Sequence, residues 1–443
     1  EQSRRDLAVS EAIALPLTFL ALIWVFGGVV AALIPLAVGG FAVMGTMAVL
    51  RGLAEITDVS IFALNLATAL GFALAIDYSL LLVNRYREEI ADGTERGLAI
   101  RRMLHTAGRT VVFSAVTVAL SLATMAVFPM YLLRSFAYGG VPVVLLAAVA
   151  SLILVPAAIL VTGNRVGRAK PRPPITETRW YRWSQFVMRR PVLAAVAALV
   201  PLLIAGLPFA HVKFGFPDDR ILPASAPARQ VGDAMRTDFT QDAGSAVNVV
   251  ITGVAQDNPA LYDYARALSD VDGVLAVSTP SATILPGHPA APPSGSAGVS
   301  QDSPDAVFFT VATAEEPYSP GSGALLDRLH QVPAPAAGTV AFGGAEQANR
   351  DGVTAIATRL PVLLMLIAVV MMTLLFLLTG SVVIPIKALV LNVLSLSATF
   401  GAMVWVFQDG HLGGLGTTGM GTLVASLPVL MFCIAFGLSM DYE

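Results

Sequence analysis

The sequence predicts a polytopic α-helical membrane protein that carries one folded α/β domain outside the membrane. Of its 443 residues, 56% are hydrophobic and only 13% are charged, and the mean hydropathy is +0.73. These values are typical of a chain embedded in lipid. One long polar segment interrupts the apolar runs. We therefore expect a first transmembrane half at 1–211, the polar domain at 212–357, and a second transmembrane half at 358–443.

Nine apolar segments are long enough to cross a bilayer, which needs about 20 apolar residues per helix. They are 12–27, 29–50, 61–83, 110–130, 138–162, 191–210, 358–379, 383–407 and 418–443. The sequence therefore predicts a multi-pass protein with about nine membrane-spanning helices.

The distribution of charge predicts how the chain is oriented in the membrane. Loop 84–109 has six arginines against four acids, and loop 163–190 has seven arginines and one lysine against one acid. Segment 212–357 has seven basic and sixteen acidic residues, hence a net charge of −9. Because basic loops stay in the cytoplasm, both loops are predicted to be cytoplasmic and the acidic segment extracytoplasmic. We read the basic loops as topology signals and expect no nucleic-acid partner.

The polar segment alternates between strand and helix patterns. Strands are predicted at 246–252, 274–278, 306–311 and 339–342, helices at 258–270 and 322–330, and a loop at 285–304. This order is that of a split β-α-β-β-α-β unit. The single cysteine, Cys433, lies in the last apolar run. The domain is therefore expected to rely on a packed core without an intrachain disulfide.

An internal repeat relates the two transmembrane halves. Three motifs recur in the same order: Arg-Asp at 5 and 350, Ile-Pro at 34 and 384, and Phe-x-Leu-x-x-Asp-Tyr at 72 and 436. Repeats of this kind are common in secondary transporters, whose sites lie at the interface between the repeats. By this repeat, we expect the first half to lack its first helix and first periplasmic domain, and the second half to be truncated.

Each half places an aspartate followed by a tyrosine inside an apolar run. A charged group at the centre of a membrane helix costs about 2.5–3.5 kcal/mol on insertion scales. Burial disfavours the charged form of a carboxyl group, and a neighbouring phenol can donate a hydrogen bond to it. Together these features predict an intramembrane proton relay of four residues: Asp77, Tyr78, Asp441 and Tyr442. The alternative is a pair of structural acids that reach the membrane interface.

A polar stripe lies in the predicted span that follows the first basic loop. Its members are spaced 4, 3, 4 and 3 residues apart and so share one helix face: Thr110, Ser114, Thr117, Ser121 and Thr124. We expect these hydroxyls to hydrate or hydrogen-bond the acids. Close helix packing by small residues is the alternative.

Two cytoplasmic segments carry amphipathic patterns. Apolar residues at 98, 100, 103 and 104 predict an interfacial helix within loop 84–109. The aromatic residues of 180–186, followed by Arg189 and Arg190, predict an anchor at the membrane surface.

Several function classes are excluded by motifs that the sequence lacks. There is no Gly-x-x-x-x-Gly-Lys-Ser/Thr loop for ATP, no His/Cys/carboxylate cluster with metal-ligand spacing, and no serine in a nucleophile elbow. We therefore expect no enzymatic activity, no metal and no cofactor. Energy is expected to come from an ion gradient, with protons as the coupling ion.

The Asp-Tyr segments resemble a known family. Residues 72–89, Phe-Ala-Leu-Ala-Ile-Asp-Tyr-Ser with a following Asn-Arg-Tyr-Arg-Glu-Glu, and residues 436–443 are similar to the two signature helices of the mycobacterial membrane protein large (MMPL) family. That family belongs to the resistance-nodulation-division (RND) transporter superfamily. The resemblance covers essentially the whole chain. It implies an RND-type helix bundle, with about nine helices of a twelve-helix duplicated fold, and a porter-like domain at 212–357.

The resemblance also implies a function. Members of the family export lipids, glycolipids or similar hydrophobic molecules across the inner (plasma) membrane of actinobacteria, driven by the proton motive force. The implied relay falls on the two Asp-Tyr pairs named above. Expected partners are a hydrophobic substrate, the bilayer, and accessory proteins or a second copy of the chain. Alternatives are a sterol- or lipid-sensing protein, a protein-export accessory of the same superfold, and a non-functional transporter fragment.

Overall fold

The computed structural model divides the chain into two compact units. It describes residues 16–162, 179–215, 219–222, 224–238, 245–293, 297–300, 303, 305–336, 338–416 and 421–439. The first unit comprises Glu1–Ile204, Arg359–Ser397 and Val429–Glu443, and the second comprises Ala205–Thr358 and Ala398–Pro428. The described part of the first unit is helical, and the second unit contains the β-sheet.

Thirteen α-helices make up most of the described chain. They are α1 Pro16–Phe26, α2 Val29–Leu53, α3 Ile61–Ala91, α4 Arg96–Ala123, α5 Tyr131–Thr162, α6 Arg179–Arg189, α7 Pro191–Gly206, α8 Pro227–Asp238, α9 Pro259–Ser269, α10 Pro320–Gln331, α11 Ala345–Thr379, α12 Val383–Met403 and α13 Ser426–Ser439.

Seven helical segments in the described residues are long and apolar enough to cross a membrane. They are Val29–Leu53, Ile61–Ala91, Arg96–Val127, Tyr131–Thr162, Pro191–His211, Ala345–Leu377 and Val383–Gln408. The first and last predicted spans correspond to shorter apolar helices, Pro16–Phe26 and Ser426–Leu438, which adjoin residues outside the described part. The chain is thus a multi-pass membrane protein, and the count of nine spans stays a prediction.

Helices α3 and α5 begin side by side in the first unit. The hydroxyl of Ser60 caps α3 by accepting a 3.3 Å hydrogen bond from the Phe62 N–H, and the Ser60 N–H donates to the Ser135 hydroxyl at 2.9 Å. A Cβ on Gly139 of α5 would lie 2.8 Å from the carbonyl oxygen of Ala63. Only glycine therefore permits this close approach between the two helix starts.

Two arginines of residues 84–109 bond the C-terminal carbonyls of neighbouring helices. Arg87 donates to the carbonyl of Phe26, the last residue of α1, at 2.6 Å. Arg96 donates to the carbonyls of Ile159 and Leu160 in the last turn of α5. Such carbonyls have no partner within their own helix and attract cations. The ends of α1, α3 and α5 and the start of α4 therefore lie at one side of this bundle.

The predicted interfacial helix within 84–109 is wrong. Helix α3 continues to Ala91, and α4 begins at Arg96 after a turn of four residues. Two of the apolar residues that suggested a lipid-facing helix are buried in protein: Ile100 is 8% exposed and Met103 is 0% exposed. Residues 84–109 are thus formed by the end of α3, the turn and the start of α4.

An antiparallel sheet forms the core of the second unit. Its strands are β1 Val247–Thr252, β2 Val274–Ser278, β3 Thr283–Ile284, β4 Gly298–Val299, β5 Ala306–Thr313 and β6 Thr339–Gly343. The strand order is β3-β2-β5-β1-β6, with β4 pairing β5 outside this path. The chain leaves β1, forms α9, and returns as β2 on the far side of β5. The four longer strands and helices α9 and α10 follow the β-α-β-β-α-β order, and β4 is an additional short strand within the expected loop 285–304.

One face of the sheet packs against α9 and α10. Burial alternates along β1, so that Val247, Val249 and Ile251 face the core. Leu268 of α9 and Leu329 of α10 are both 0% exposed in the same cluster. Each such side chain stabilises the fold by about 1.5–3 kcal/mol relative to leaving it in water. Alternating apolar residues therefore explain why this segment forms a core without an intrachain disulfide.

Candidate functional site

The first Asp-Tyr pair lies near the middle of α3. Asp77 is about 24 Å along the helix from Ile61 and about 21 Å from Ala91, from the rise of 1.5 Å per residue. Asp77 is half-buried, and Tyr78 is 2% exposed. The apolar run that carries them forms a continuous helix because it contains no proline and no internal glycine other than Gly71. The acid therefore lies within the apolar run 61–83, about 9 Å of helix before its end at Val83.

The tyrosine of this pair is bonded to the polar stripe. Ser114 on α4 donates from its hydroxyl to the phenol oxygen of Tyr78 at 3.1 Å, and Ser114 is 3% exposed. A phenol that accepts a hydrogen bond keeps its own O–H as a donor. This contact therefore joins α3 to α4 at the residue that follows Asp77.

Four of the five stripe residues are buried. Ser114, Thr117, Ser121 and Thr124 are each 3–4% exposed, whereas Thr110 is exposed. The Thr117 hydroxyl donates to its own helix, at the carbonyl of Phe113, at 3.0 Å. Thr110 differs from the others, since it lies on the same face but outside the buried part of the stripe.

The C-terminal part of the stripe contacts helix α13. Ser121 donates to the carbonyl of Cys433 at 2.7 Å, and the Thr124 hydroxyl lies 3.9 Å from the Cys433 sulfur. Further along α13, a Cβ on Gly437 would lie 3.1 Å from the Cα of Val118. Glycine at that position allows α13 to pack directly against the backbone of α4.

A small cavity lies where α4, α11 and α13 meet. Its volume is about 10 Å³, and its lining includes Thr117, Ser121, Thr124, Ile367, Met371 and Phe436. This is at the lower limit for holding one water molecule. Its lining is almost entirely apolar, because the hydroxyls of Thr117, Ser121 and Thr124 donate to backbone carbonyls.

The second Asp-Tyr pair lies outside the described residues. Asp441 and Tyr442 follow the last described residue of α13, Ser439, by two and three positions. The structure therefore places Asp77 and Tyr78 but does not describe their counterparts. Across the described residues, no group of three or more His, Cys, Asp or Glu side chains could hold a metal ion.

Three residues near the site were not singled out by sequence reasoning. Cys433 on α13 contacts Ser121 through its carbonyl and Thr124 through its sulfur. The only signal for it in the sequence was its place in the second repeat. The Ser79 hydroxyl is buried beside Tyr78 and has no hydrogen-bond partner among the described residues. Glu89, within the Asn-Arg-Tyr-Arg-Glu-Glu segment, is 4% exposed. A polar residue directly after the Asp-Tyr pair was the available signal for Ser79.

Comparison with known proteins matches residues 1–194 and 220–443 to the family model of the MMPL family. A membrane protein of Streptomyces coelicolor is 35% identical over 447 residues, covering 100% of this chain and 59% of the relative. The trehalose monomycolate exporter MmpL3 of Mycolicibacterium smegmatis is 29% identical over 475 residues, covering 99% of this chain and 46% of the relative. The mycolic acid-containing lipids exporter MmpL11 of that species is 27% identical over 453 residues, covering 100% and 46%.

The chain spans about half the length of the curated relatives it matches. The family match nevertheless covers nearly all of the chain, in two blocks on either side of a short gap. It confirms the resemblance predicted from the two Asp-Tyr segments. The chain belongs to the MMPL family.

Proposed function

We propose that this chain is part of a proton-driven exporter of lipids or similar hydrophobic molecules in the inner membrane. The names of two relatives support the cargo class, since one exports trehalose monomycolate and the other mycolic acid-containing lipids. The observation that carries the proposal is the hydrogen bond from Ser114 to Tyr78, the residue that follows Asp77 in the apolar run of a membrane helix. Ionisable residues within membrane-spanning segments are functional by default.

The proposed relay uses Asp77 and Tyr78 together with Asp441 and Tyr442. An ionised carboxylate only accepts hydrogen bonds, whereas a protonated one also donates. Proton uptake by Asp77 therefore changes which groups can bond to it and to the adjacent phenol. The membrane potential contributes about 2.3 kcal/mol for each proton per 100 mV. This energy is comparable with the cost of exchanging one or two buried hydrogen bonds.

Hydrogen bonds of the stripe connect Tyr78 with a helix of the second half of the chain. Tyr78 bonds to Ser114 on α4, and Ser121 on the same helix bonds to α13, the helix that precedes Asp441. A shift of α4 that follows a change at Tyr78 would therefore act on α13. The apolar cavity beside Thr117 and Ser121 and the close approach of Gly437 to Val118 both support the packing role of the stripe.

Two continuous helices are proposed to pass this motion to the extracytoplasmic domain. Helix α11 begins two residues after β6 and runs for 35 residues, from Ala345 to Thr379. The segment Pro191–His211 directly precedes the domain in the sequence. We propose that motion of these two segments reaches the domain and that the domain forms part of the substrate path.

The test is the substitution Asp77→Asn in the full-length protein, reconstituted into vesicles with an imposed pH gradient. We expect loss of both lipid export and proton flux, because the amide cannot exchange a proton at this depth. The matched control is Asp92→Asn, since Asp92 is an exposed acid in the turn after the same helix. Export at the wild-type rate in Asp77→Asn, at equal amounts of protein, would overturn the relay. Lipid binding without any proton flux in the wild-type protein would favour the lipid-sensing alternative.

A further inference from the structure

We infer that Glu89 is a positioning residue whose buried carboxylate fixes α4 in register with α3 and so sets the contact between Ser114 and Tyr78. This inference rests on the proposed function for its transport readout. Its structural part concerns only the two helices and can be measured independently of transport.

Both oxygens of the Glu89 carboxylate are occupied. Arg85, one turn earlier on α3, donates to one oxygen at 2.6 Å, and Arg102 on α4 donates to the other at 3.1 Å. The hydroxyl of Thr94, in the turn between the helices, donates to the second oxygen at 3.3 Å. The carboxylate is thus held at once by α3, by the turn and by α4.

A second bridge runs beside the first. The Arg85 Nε donates to the hydroxyl of Thr106 on α4 at 3.2 Å, so the same guanidinium contacts Glu89 and the neighbouring helix. Thr106 is held in turn by its own helix, because its hydroxyl donates to the carbonyl of Arg102 at 2.8 Å. Two separate hydrogen-bonded bridges therefore connect α3 with α4 within one helical turn.

Burial distinguishes this cluster from an ordinary surface ion pair. Exposed ion pairs contribute about 0–1 kcal/mol and hold little geometry. Glu89 has 4% of its surface exposed, whereas the side chains of its partners Arg85 and Arg102 are 37% and 54% exposed. The buried partner is thus the carboxylate, which is costly to bury unless its oxygens are satisfied. The best-attested use of such buried ionic groups is to specify register between packed elements. The four-residue turn leaves room for α4 to slide or rotate, and the Glu89 cluster removes that freedom.

The cluster lies at a matched distance from the relay on both helices. Tyr78 precedes Glu89 by 11 residues, about 16 Å of helix, and Ser114 follows Arg102 by 12 residues, about 18 Å. Because these lengths agree, the bridge at Glu89 and the bond at Tyr78 are satisfied in the same register. A slip of one turn, about 5.4 Å, would carry Ser114 out of hydrogen-bonding reach of Tyr78.

The structural test measures the register directly. Spin labels are placed at Leu81 of α3 and Val112 of α4, two side chains that are 40% and 47% exposed, in a background where Cys433 is replaced by alanine. We expect the label distance in Glu89→Gln to broaden or shift by up to about one helical turn. Glu88→Gln is the matched control, because Glu88 is the adjacent acid, bonds the same Arg85 at 3.3 Å and is 46% exposed. An unchanged distance in Glu89→Gln would overturn the inference.

The functional test is a double-mutant cycle on proton-coupled lipid export. We expect Glu89→Gln and Ser114→Ala each to slow export by up to about tenfold, the upper end of the loss expected for one hydrogen bond between neutral groups. Because both act through the same contact, the double variant should be no slower than the slower single variant. Fully multiplied losses would show that Glu89 acts elsewhere and would overturn the inference.

Two further outcomes separate this inference from the proposed function. If Asp77→Asn exports normally while Glu89→Gln still shifts the labels, the relay fails and the positioning role stands. If Glu89→Gln does not accumulate in the membrane, Thr106→Val is used instead, because it removes one bridge and keeps the ion pair. We then expect a smaller shift of the labels in the same direction, and no shift would contradict the inference.

Discussion

Ser121 on α4 donates a buried hydrogen bond to the carbonyl of Cys433 on α13, across 312 positions of sequence. The acceptor is a backbone carbonyl that lies within a helix, so the bond is additional to the regular helical ladder. It joins the polar stripe of the first repeat to the helix that carries the motif of the second. The two repeats therefore meet at the stripe, which is the arrangement that a relay shared between them requires.

The first prediction concerns this contact. Ser121→Ala should lower the free energy of unfolding by about 0.6 kcal/mol, the average for interhelical hydrogen bonds measured within membranes. Thermal unfolding of the protein in detergent or nanodiscs measures the change. Thr110→Ala is the control, since Thr110 lies on the same helix face but is exposed. Equal loss of stability in both variants would show that the contact to α13 adds nothing.

The second prediction concerns the phenol of the relay. Tyr78→Phe removes the acceptor of the Ser114 hydroxyl and should reduce proton-coupled export by about tenfold, with little change in the amount of folded protein. Tyr86→Phe provides the comparison, because Tyr86 is a second buried tyrosine on α3 and is 1% exposed. Proton flux into vesicles is the measurement. An equal effect of both substitutions would place the loss in helix packing and not in the relay.

The third prediction concerns the core of the β-sheet domain. Phe309 is 1% exposed in the sheet, and Phe309→Ala should lower the free energy of unfolding of the domain by about 3–5 kcal/mol through the cavity it leaves. The neighbouring Phe308 points to the opposite face and is 36% exposed, so Phe308→Ala should cost far less. Hydrogen exchange of the β5 amides in the full chain distinguishes the two. Similar exchange rates in both variants would contradict the assigned inward face of β5.

The fourth prediction concerns the pH dependence of the segment around α8. Arg236 donates to both oxygens of Asp219, at 3.0 and 2.6 Å, and this hydrogen bonding holds the pKa of the Asp219 carboxyl below its usual range. A pKa that is lower in the folded state stabilises the fold above the unfolded value, about 3.9, and this contribution is lost as the pH falls further. The protection factors of the α8 amides, which correct for the intrinsic pH dependence of exchange, should therefore fall below about pH 4.

The control for this pH effect lies on the same helix. Asp219→Asn should reduce the acid-dependent loss of protection to the part that comes from Asp233, which also bonds Arg236 and also has a lowered pKa. It should make α8 less protected at neutral pH, since the charge-assisted bonds of Asp219 to Arg236 are lost. Asp238→Asn, at the exposed end of α8, should leave the pH profile unchanged. A wild-type profile in Asp219→Asn would show that another group titrates.

The membrane helices could be predicted from composition, but their ends could not. The apolar run 61–83 requires a spanning helix because its backbone must be hydrogen-bonded internally in lipid. The following polar residues also became helix because Glu89 is paired with Arg102 on the next helix, a tertiary contact that no local pattern reveals. The same limit applies to Ser121 and Cys433, whose contact depends on how two distant repeats pack.

In the β-sheet domain, too, local patterns were predicted from the sequence and tertiary pairings were not. Alternating apolar residues predicted the longer strands, and their order along the chain predicted the split β-α-β arrangement. The two-residue strand β4, Gly298–Val299, escaped prediction because it is a strand only through its pairing with β5. For the site, spacing predicted the face shared by Ser114, Thr117, Ser121 and Thr124. It could not show that the buried part of this face ends before Thr110.

Arg87 and Arg96 bond the last carbonyls of α1 and α5, so lysine and arginine are not equivalent at these two positions. Membrane orientation depends only on positive charge, so lysine would serve as well as arginine at Arg87 and Arg96. Arg96, however, also donates to the carbonyls of Ile159 and Leu160, and a guanidinium is more weakly hydrated than an ammonium group, so it loses less when it binds partly buried carbonyls. A lysine at this position would preserve the topology of the chain while releasing the last turn of α5. Correct insertion and correct packing of this bundle are therefore separable properties of the same residue.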